Sequence, residues 1–162
     1  MQDWLRSQLN RYYKLEDELF TFLCENGNLL NLNPGEKYLH AGNVADKIGV
    51  LKSGILRACQ LNSNGDTITN YFYYLPYNDI VTLQTSFAKN IISEHSVEAI
   101  SKCEIFSFDR EIILKAFYKY QGMDRLSRII AEKQYLDSSK RINDLQTKSA
   151  LDLYNSFLKE NK

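Results

Sequence analysis

Only two histidines and three cysteines occur in 162 residues, and that scarcity removes several chemistries at once. Cys24, Cys59 and Cys103 are odd in number, scattered and without metal-ligand spacing. Cys59 and Cys103 lie inside apolar, strand-like runs, where a free thiol serves as a small buried hydrophobe. His40 and His95 stand far apart with no His-X-His pair, so a metal centre of convergent imidazoles lacks its ligands. No apolar run is long enough to span a bilayer and no signal peptide opens the chain, which therefore reads as soluble and cytoplasmic, with no membrane partner. Formal charge is zero, whereas nucleic-acid binding relies on clustered positive charge. Neither Gly-X-Ser-X-Gly nor a phosphate-binding glycine loop is present. The chain is accordingly read as no enzyme, with no catalytic residue and no metal ligand.

Hydrophobic residues make up 44%, enough to bury the core of one modest domain with a helical extension. Residues 1–27 carry two apolar sets, Trp4, Leu5, Leu9, Tyr12, Tyr13 and then Leu15, Leu19, Phe20, Phe22, Leu23. They predict two short helices, the first capped by Asp3 and the second stopped at Gly27. From 28 to 108 the pattern changes to short alternating segments broken by turns about every ten residues, as in a small sandwich or barrel. Pro34-Gly35 fits the centre of a type II turn, and Asn64-Gly65 fits a hairpin. Ile48 and Val50 point one way and Leu51 the other. Ile80, Val81, Leu83 and Phe87 predict a short helix opening after Asn78 or Asp79. Two closing strands follow, at 96–100 and 104–108.

Asp109 predicts the cap of a helix reaching Tyr120, and a break at Gln121-Gly122 precedes a helix over 123–147. At 1.5 Å per residue that rod is about 37 Å long. Its apolar positions form a stripe rather than an all-round apolar surface. Between 110 and 148 nine Lys/Arg face five Asp/Glu, a local +4 balanced by −4 elsewhere, which reads as a solvated helix face. Ser149 predicts the cap of a last helix, 150–159.

This order of elements resembles the cyclic-nucleotide-binding-like sensor domain of the Crp/Fnr transcriptional regulators. The residues that carry the resemblance are Leu32-Asn-Pro-Gly-Glu36, Ile48-Gly-Val-Leu-Lys-Ser-Gly54, Leu56-Arg57 and Asn64-Gly-Asp66, over about 15–147. It implies an α+β fold, a jelly-roll double-stranded β-helix flanked by N-terminal helices and a long C-terminal dimerisation helix. It divides the chain into a sensor domain 1–122, a dimerisation helix 123–147, and the start of a helix-turn-helix at 148–162. DNA binding would then need a helix-turn-helix beyond Lys162.

The resemblance also implies a phosphate cassette, in which a Gly-Glu opens a short helix and an Arg precedes the next strand. Asn78-Asp79 partly matches the first pair. The Arg position falls near Ser93, and no Arg lies between Arg57 and Arg110. A buried phosphate without a cationic partner is costly, so cyclic AMP is not expected as cofactor. Asn78, Asp79, Ile80, Thr82, Ser93, Glu94, His95 and Ser96 form the expected pocket for an unknown small-molecule effector. A homodimer seam is implied at Leu126, Ile129, Ile130, Lys133 and Leu136, although a stripe packed on the chain's own barrel has the same spacing. Two alternatives stay open: a stand-alone ligand or protein interaction module without DNA, and, with the weakest support, a cupin-type metal enzyme using His40.

Overall fold

The computed structural model describes residues 1–149, 151, 152 and 155. Along the chain run α1 (Gln2–Asn10), α2 (Asp17–Asn26), β1 (Asn28–Leu32), β2 (Lys37–Leu39), β3 (Lys47–Ser53) and β4 (Leu56–Leu61). Then come β5 (Thr67–Tyr73), β6 (Ile80–Val81), α3 (Gln84–Lys89), β7 (Ser96–Ala99), β8 (Cys103–Asp109), α4 (Arg110–Lys119) and α5 (Gln121–Thr147). The strands form two antiparallel four-stranded sheets, in orders β1-β8-β3-β6 and β2-β7-β4-β5. This is the expected jelly-roll between helices.

Strand alternation divides the molecule into two cores. Leu51, Val81, Cys103 and Ile105 point between the sheets and meet Leu56, Tyr73, Val97 and Ala99 there. Val50, Ile80, Phe106 and Phe108 point outward, onto a second core with Leu5, Leu19, Leu23, Ile113, Leu126 and Ile130 of the helices. A strand covered on both faces by apolar residues has its register strongly specified, because a one-residue slip would exchange the two sets. Tyr38 and Ser107, the polar pair between the sheets, satisfy each other at 2.7 Å.

Glycine shapes the corners. Gly35 has φ +87° in the turn after Pro34, and Gly54 has φ +93°, where a Cβ would also lie 2.4 Å from the Lys102 carbonyl. Gly27 ends α2 for a different reason, with φ −98° and the Phe106 ring 2.3 Å from where its Cβ would be.

Several local expectations are corrected. Asp3 does not cap α1, which begins at Gln2, and instead lies in the first turn, where its charge suits the helix dipole. Asp109 has the extended backbone of an N-cap but makes no side-chain cap bond; the first amide of α4, Arg110 N–H, goes to the Asp46 carbonyl at 2.7 Å. No helix opens at Asn78 or Asp79. Ile80 and Val81 pair with Val50 and Gly49 as strand β6, and the short helix opens only at Gln84. The break before the long helix falls at Tyr120 rather than at Gly122. Gly122 lies inside α5, which passes so close to α2 that a Cβ there would be 3.2 Å from Leu19 Cδ2. The expected boundary at 122/123 thus falls within one helix, and Met123, Leu126 and Ile130 pack in the same core as α1, α2 and α4. Ser149 Oγ accepts the Asp152 N–H at 3.2 Å and residues 151, 152 and 155 are helical, while the other residues of the expected last helix lie outside the described residues. Among the described residues no helix is long and apolar enough to cross a membrane.

Candidate functional site: a cavity between the roll and the long helix

A cavity of about 830 Å³ opens where α5 crosses the second sheet. Asn70, Tyr71 and Tyr73 of β5 form one wall with Ala58, and residues 82–86 at the start of α3 form another. Residues 91–95 form a third, and Ala131, Gln134, Tyr135 and Ser138 of α5 form the lid side. Positions 131, 134, 135 and 138 share one helix face, since residues three and four apart lie side by side.

Much of the polar lining is committed to holding the walls. Tyr73 donates its hydroxyl to the Thr82 carbonyl at 2.5 Å, and Thr82 donates to the Lys47 carbonyl at 3.1 Å. Ser86 accepts the Ala45 N–H and donates to the Ile91 carbonyl. The 91–95 loop is tied to 42–43 by Gly42 N–H to Ser93 O and Ser93 N–H to Asn43 O, at 2.8 and 3.0 Å. Asn70 Nδ2 stands 2.6 Å from His95 Nε2, at hydrogen-bond distance, and Arg141 of α5 donates to the Asn70 carbonyl. Gln84, Thr85, Gln134 and Ser138 carry no side-chain hydrogen bond among the described residues, so they are among the free donors and acceptors. Burial, then the nearby Asp137 charge, pushes the Tyr71 hydroxyl up to about 12, so it faces the cavity as a neutral donor.

The cavity has almost no charge. Glu94 is the sole Asp or Glu in its lining, and no Lys or Arg of the described residues lines it.

Of the residues expected to form the pocket, the structure brings Thr82, Ser93, Glu94 and His95 to the cavity. Ser96 lies behind the wall, where its Oγ accepts the Ala41 N–H at 3.0 Å. Asn78 and Ile80 line a separate crevice beside Tyr12 and Lys133. Asp79 is fully buried away from the cavity, its Oδ1 accepting the Tyr12 hydroxyl and its Oδ2 lying 3.5 Å from Arg11 Nη1. Burial and that bond to Asp79 drive the Tyr12 hydroxyl far above its ordinary value. The short helix opens at Gln84, after Leu83, and not at Asn78-Asp79.

On α5, Leu126 (3% exposed) and Ile130 (9%) face the chain's own core, whereas Leu136 is 65% exposed. Ile129 is half-buried, and Lys133 donates to the Tyr77 carbonyl and to Asp137. The residues missed from sequence are Asn70, Tyr71, Tyr73, Gln84, Thr85 and the α5 group. Tyr71 and Tyr73 were findable, since both lie two apart in a predicted strand. Among the described residues no group of His, Cys, Asp or Glu could hold a metal. Burial raises the Cys24 and Cys103 thiols, which disfavours the reactive thiolate.

Two sheets in this order, a short helix within the roll and a long helix leaving it make the cyclic-nucleotide-binding-like β-roll, the fold of Crp/Fnr sensor domains. The chain is similar to the sensor domain of the transcriptional regulator DNR from Pseudomonas aeruginosa, with TM-score 0.66 and 18% identity, over 91% of this chain and 95% of that one. It is similar to the Thermus thermophilus catabolite activator protein, with TM-score 0.63 and 18% identity, over 91% of this chain and 63% of that one. A third neighbour is the regulatory subunit of a cAMP-independent protein kinase A from Trypanosoma cruzi bound to guanosine, with TM-score 0.64 and 14% identity, over 90% of this chain and 50% of that one. The chain thus spans less than two thirds of the Thermus and trypanosome proteins. No family model and no curated protein matches it.

Proposed function

We propose that the chain is the effector-sensing and dimerisation part of a Crp/Fnr-like transcription regulator whose cavity takes an uncharged, nucleoside-sized molecule in place of a cyclic nucleotide. The observation that carries this reading is the cavity lining, which lacks Lys and Arg and includes Glu94. A phosphate there would be desolvated without a cationic partner and beside a carboxylate. Gln84, Thr85, Gln134 and Ser138 suit the hydrogen-bonding edge of a base or sugar, and Tyr71, Tyr73 and Tyr135 offer aromatic walls. The volume is in the range of ordinary small-molecule sites. The trypanosome subunit of the same fold supports the idea, because its ligand is guanosine, a nucleoside without phosphate.

Signalling follows from which elements the occupant would touch. A ligand bridging the roll and residues 131–138 favours the α5 position that completes its contacts, and occupancy then shifts the helix population. Leu136, exposed, shares a face with the half-buried Ile129, whereas the exposed Ile142 and Leu145 continue the cavity face of Tyr135 and Ser138 toward the C-terminal end of α5, and a homodimer would bury these exposed side chains. A DNA-reading module beyond Lys162 would receive that shift. The test is titration calorimetry with guanosine, adenosine, cyclic AMP and cyclic GMP. Heat is expected from a nucleoside and none from the cyclic nucleotides; submicromolar cyclic AMP binding would overturn the reading.

A further inference from the structure

The turn at residues 74–79 is gripped from two sides. From the loop after α1, Tyr12 donates to Asp79 Oδ1 and Arg11 donates to the Pro76 carbonyl, with its second nitrogen 3.5 Å from Asp79 Oδ2. From α5, Lys133 donates to the Tyr77 carbonyl. The Asp79 side chain is fully buried, and its Oδ2 accepts no hydrogen bond among the described residues. A buried carboxylate with an orphaned oxygen is strongly destabilised if it loses a partner. Among the described residues its one side-chain donor, Tyr12, and the facing Arg11 both come from the lead-in, so seating the lead-in and satisfying Asp79 are one event.

A second observation ties this grip to the cavity. A crevice of about 10 Å³, room for about one water, is walled by Tyr12, Tyr71, Asn78, Lys133 and Gln134. Tyr71 and Gln134 also wall the large cavity. The two spaces therefore share two side chains, one from β5 and one from α5.

We propose that the Tyr12–Asp79 contact is a latch that couples the N-terminal lead-in to occupancy of the cavity through Tyr71 and Gln134. This gives the roll a second output beside α5, and it rests on the sensor reading above. An occupant that moves Tyr71 or Gln134 reshapes the crevice against Tyr12. With the latch seated, Asp79 is paired and residues 2–16 are held more tightly; with it released, water reaches Asp79 and the lead-in, anchored only by its core contacts, exchanges faster.

Hydrogen exchange on the whole 162-residue chain tests both halves of this claim. Without ligand, Tyr12→Phe and Asp79→Asn should each speed exchange of residues 2–16 by about tenfold or more, as loss of a hydrogen bond to a charged group implies. Because the two residues act as one contact, the double variant should be no faster than the faster single one. Protection in β3 and β8 should stay unchanged. Unaltered exchange of 2–16 in both variants would overturn the latch.

For the coupling, Ala131→Phe places a ring in the cavity from α5 and stands in for an occupant, and Gln134→Ala instead removes a shared wall. Either should change lead-in exchange, and the change should vanish when Tyr12→Phe is added. If neither moves the lead-in, the coupling is wrong whatever guanosine does. If they move it while guanosine gives no heat, the latch stands and the nucleoside reading fails.

Discussion

The two halves of α5 have similar spacing and opposite fates. In residues 121–130 the apolar side chains Met123, Leu126 and Ile130 are buried against α1, α2, α4 and the first sheet. In residues 131–147 Tyr135, Leu136, Ile142 and Leu145 remain largely exposed, and the inward face there is the cavity lid rather than core. The difference teaches that one apolar stripe can be divided by function. Its first turns anchor the helix to the roll, and its later turns keep their apolar side chains exposed, available to the ligand and the second copy proposed above.

The sharpest way to break the comparison is to truncate matching leucines. Leu126→Ala should cost about 2–5 kcal/mol in urea unfolding, from lost transfer energy and the cavity left behind. Leu136→Ala should change monomer stability by no more than about 0.5 kcal/mol. Equal losses would mean the two halves are not distinct.

Alkaline titration distinguishes the sealed from the open parts of the molecule. Tyr71 is raised to about 12, and burial also raises Tyr12, Tyr38 and Tyr73 well above the ordinary tyrosine value of 10.0. A raised phenol is protonated in both states below that value and ionises first in the unfolded chain. Stability should therefore be unaffected by these groups below about pH 10. It should then fall as pH rises from about 10 through the raised folded values, of which that of Tyr71, about 12, is the lowest, by roughly 1.4 kcal/mol per pH unit for each such tyrosine. Denaturant midpoints against pH, with tyrosinate absorbance as monitor, check this; ionisation of all eleven tyrosines by pH 10 without unfolding would contradict it.

Self-association sharpens the distal half. Ile142→Asp with Leu145→Asp should shift light scattering from dimer to monomer while the melting temperature of the monomer stays within a few degrees. An unchanged molecular mass would remove the distal half from the interface. The smallest effect belongs to Glu132→Ala. It breaks the exposed Arg128–Glu132 pair at 2.8 Å and should cost no more than about 0.5 kcal/mol.

The roll was legible from sequence because its signals are local. Pro34-Gly35, Ser53-Gly54 and Asn64-Gly65 punctuate strands whose alternation sorts Val50 from Leu51 into separate cores. The segment 78–83 was misread as helix because Ile80-Val81 is too short for periodicity to decide between helix and strand. What decides it is a distant partner, Gly49 opposite Val81. That displacement also misplaced the helix-opening residues and left Asp79 assigned to a ligand, when Tyr12, 67 residues earlier, takes its carboxylate. Thr82, Ser93, Glu94 and His95, which line the cavity, were expected in the pocket because the resemblance places its phosphate cassette over that stretch. Gln134, Tyr135 and Ser138 were not, since their role depends on where α5 crosses the sheet. Within 110–148 cations are paired in place, as in Arg128–Glu132, Lys133–Asp137 and Lys148–Asp144, and the net +4 remains.

The most direct test of the central claim is amide hydrogen exchange along α5 with and without saturating guanosine. A ligand bound between the roll and the distal half should slow exchange in residues 131–138 while leaving 121–130, already held by the core, unchanged. Binding heat with no change in 131–138, or protection confined to the proximal half, would contradict the account.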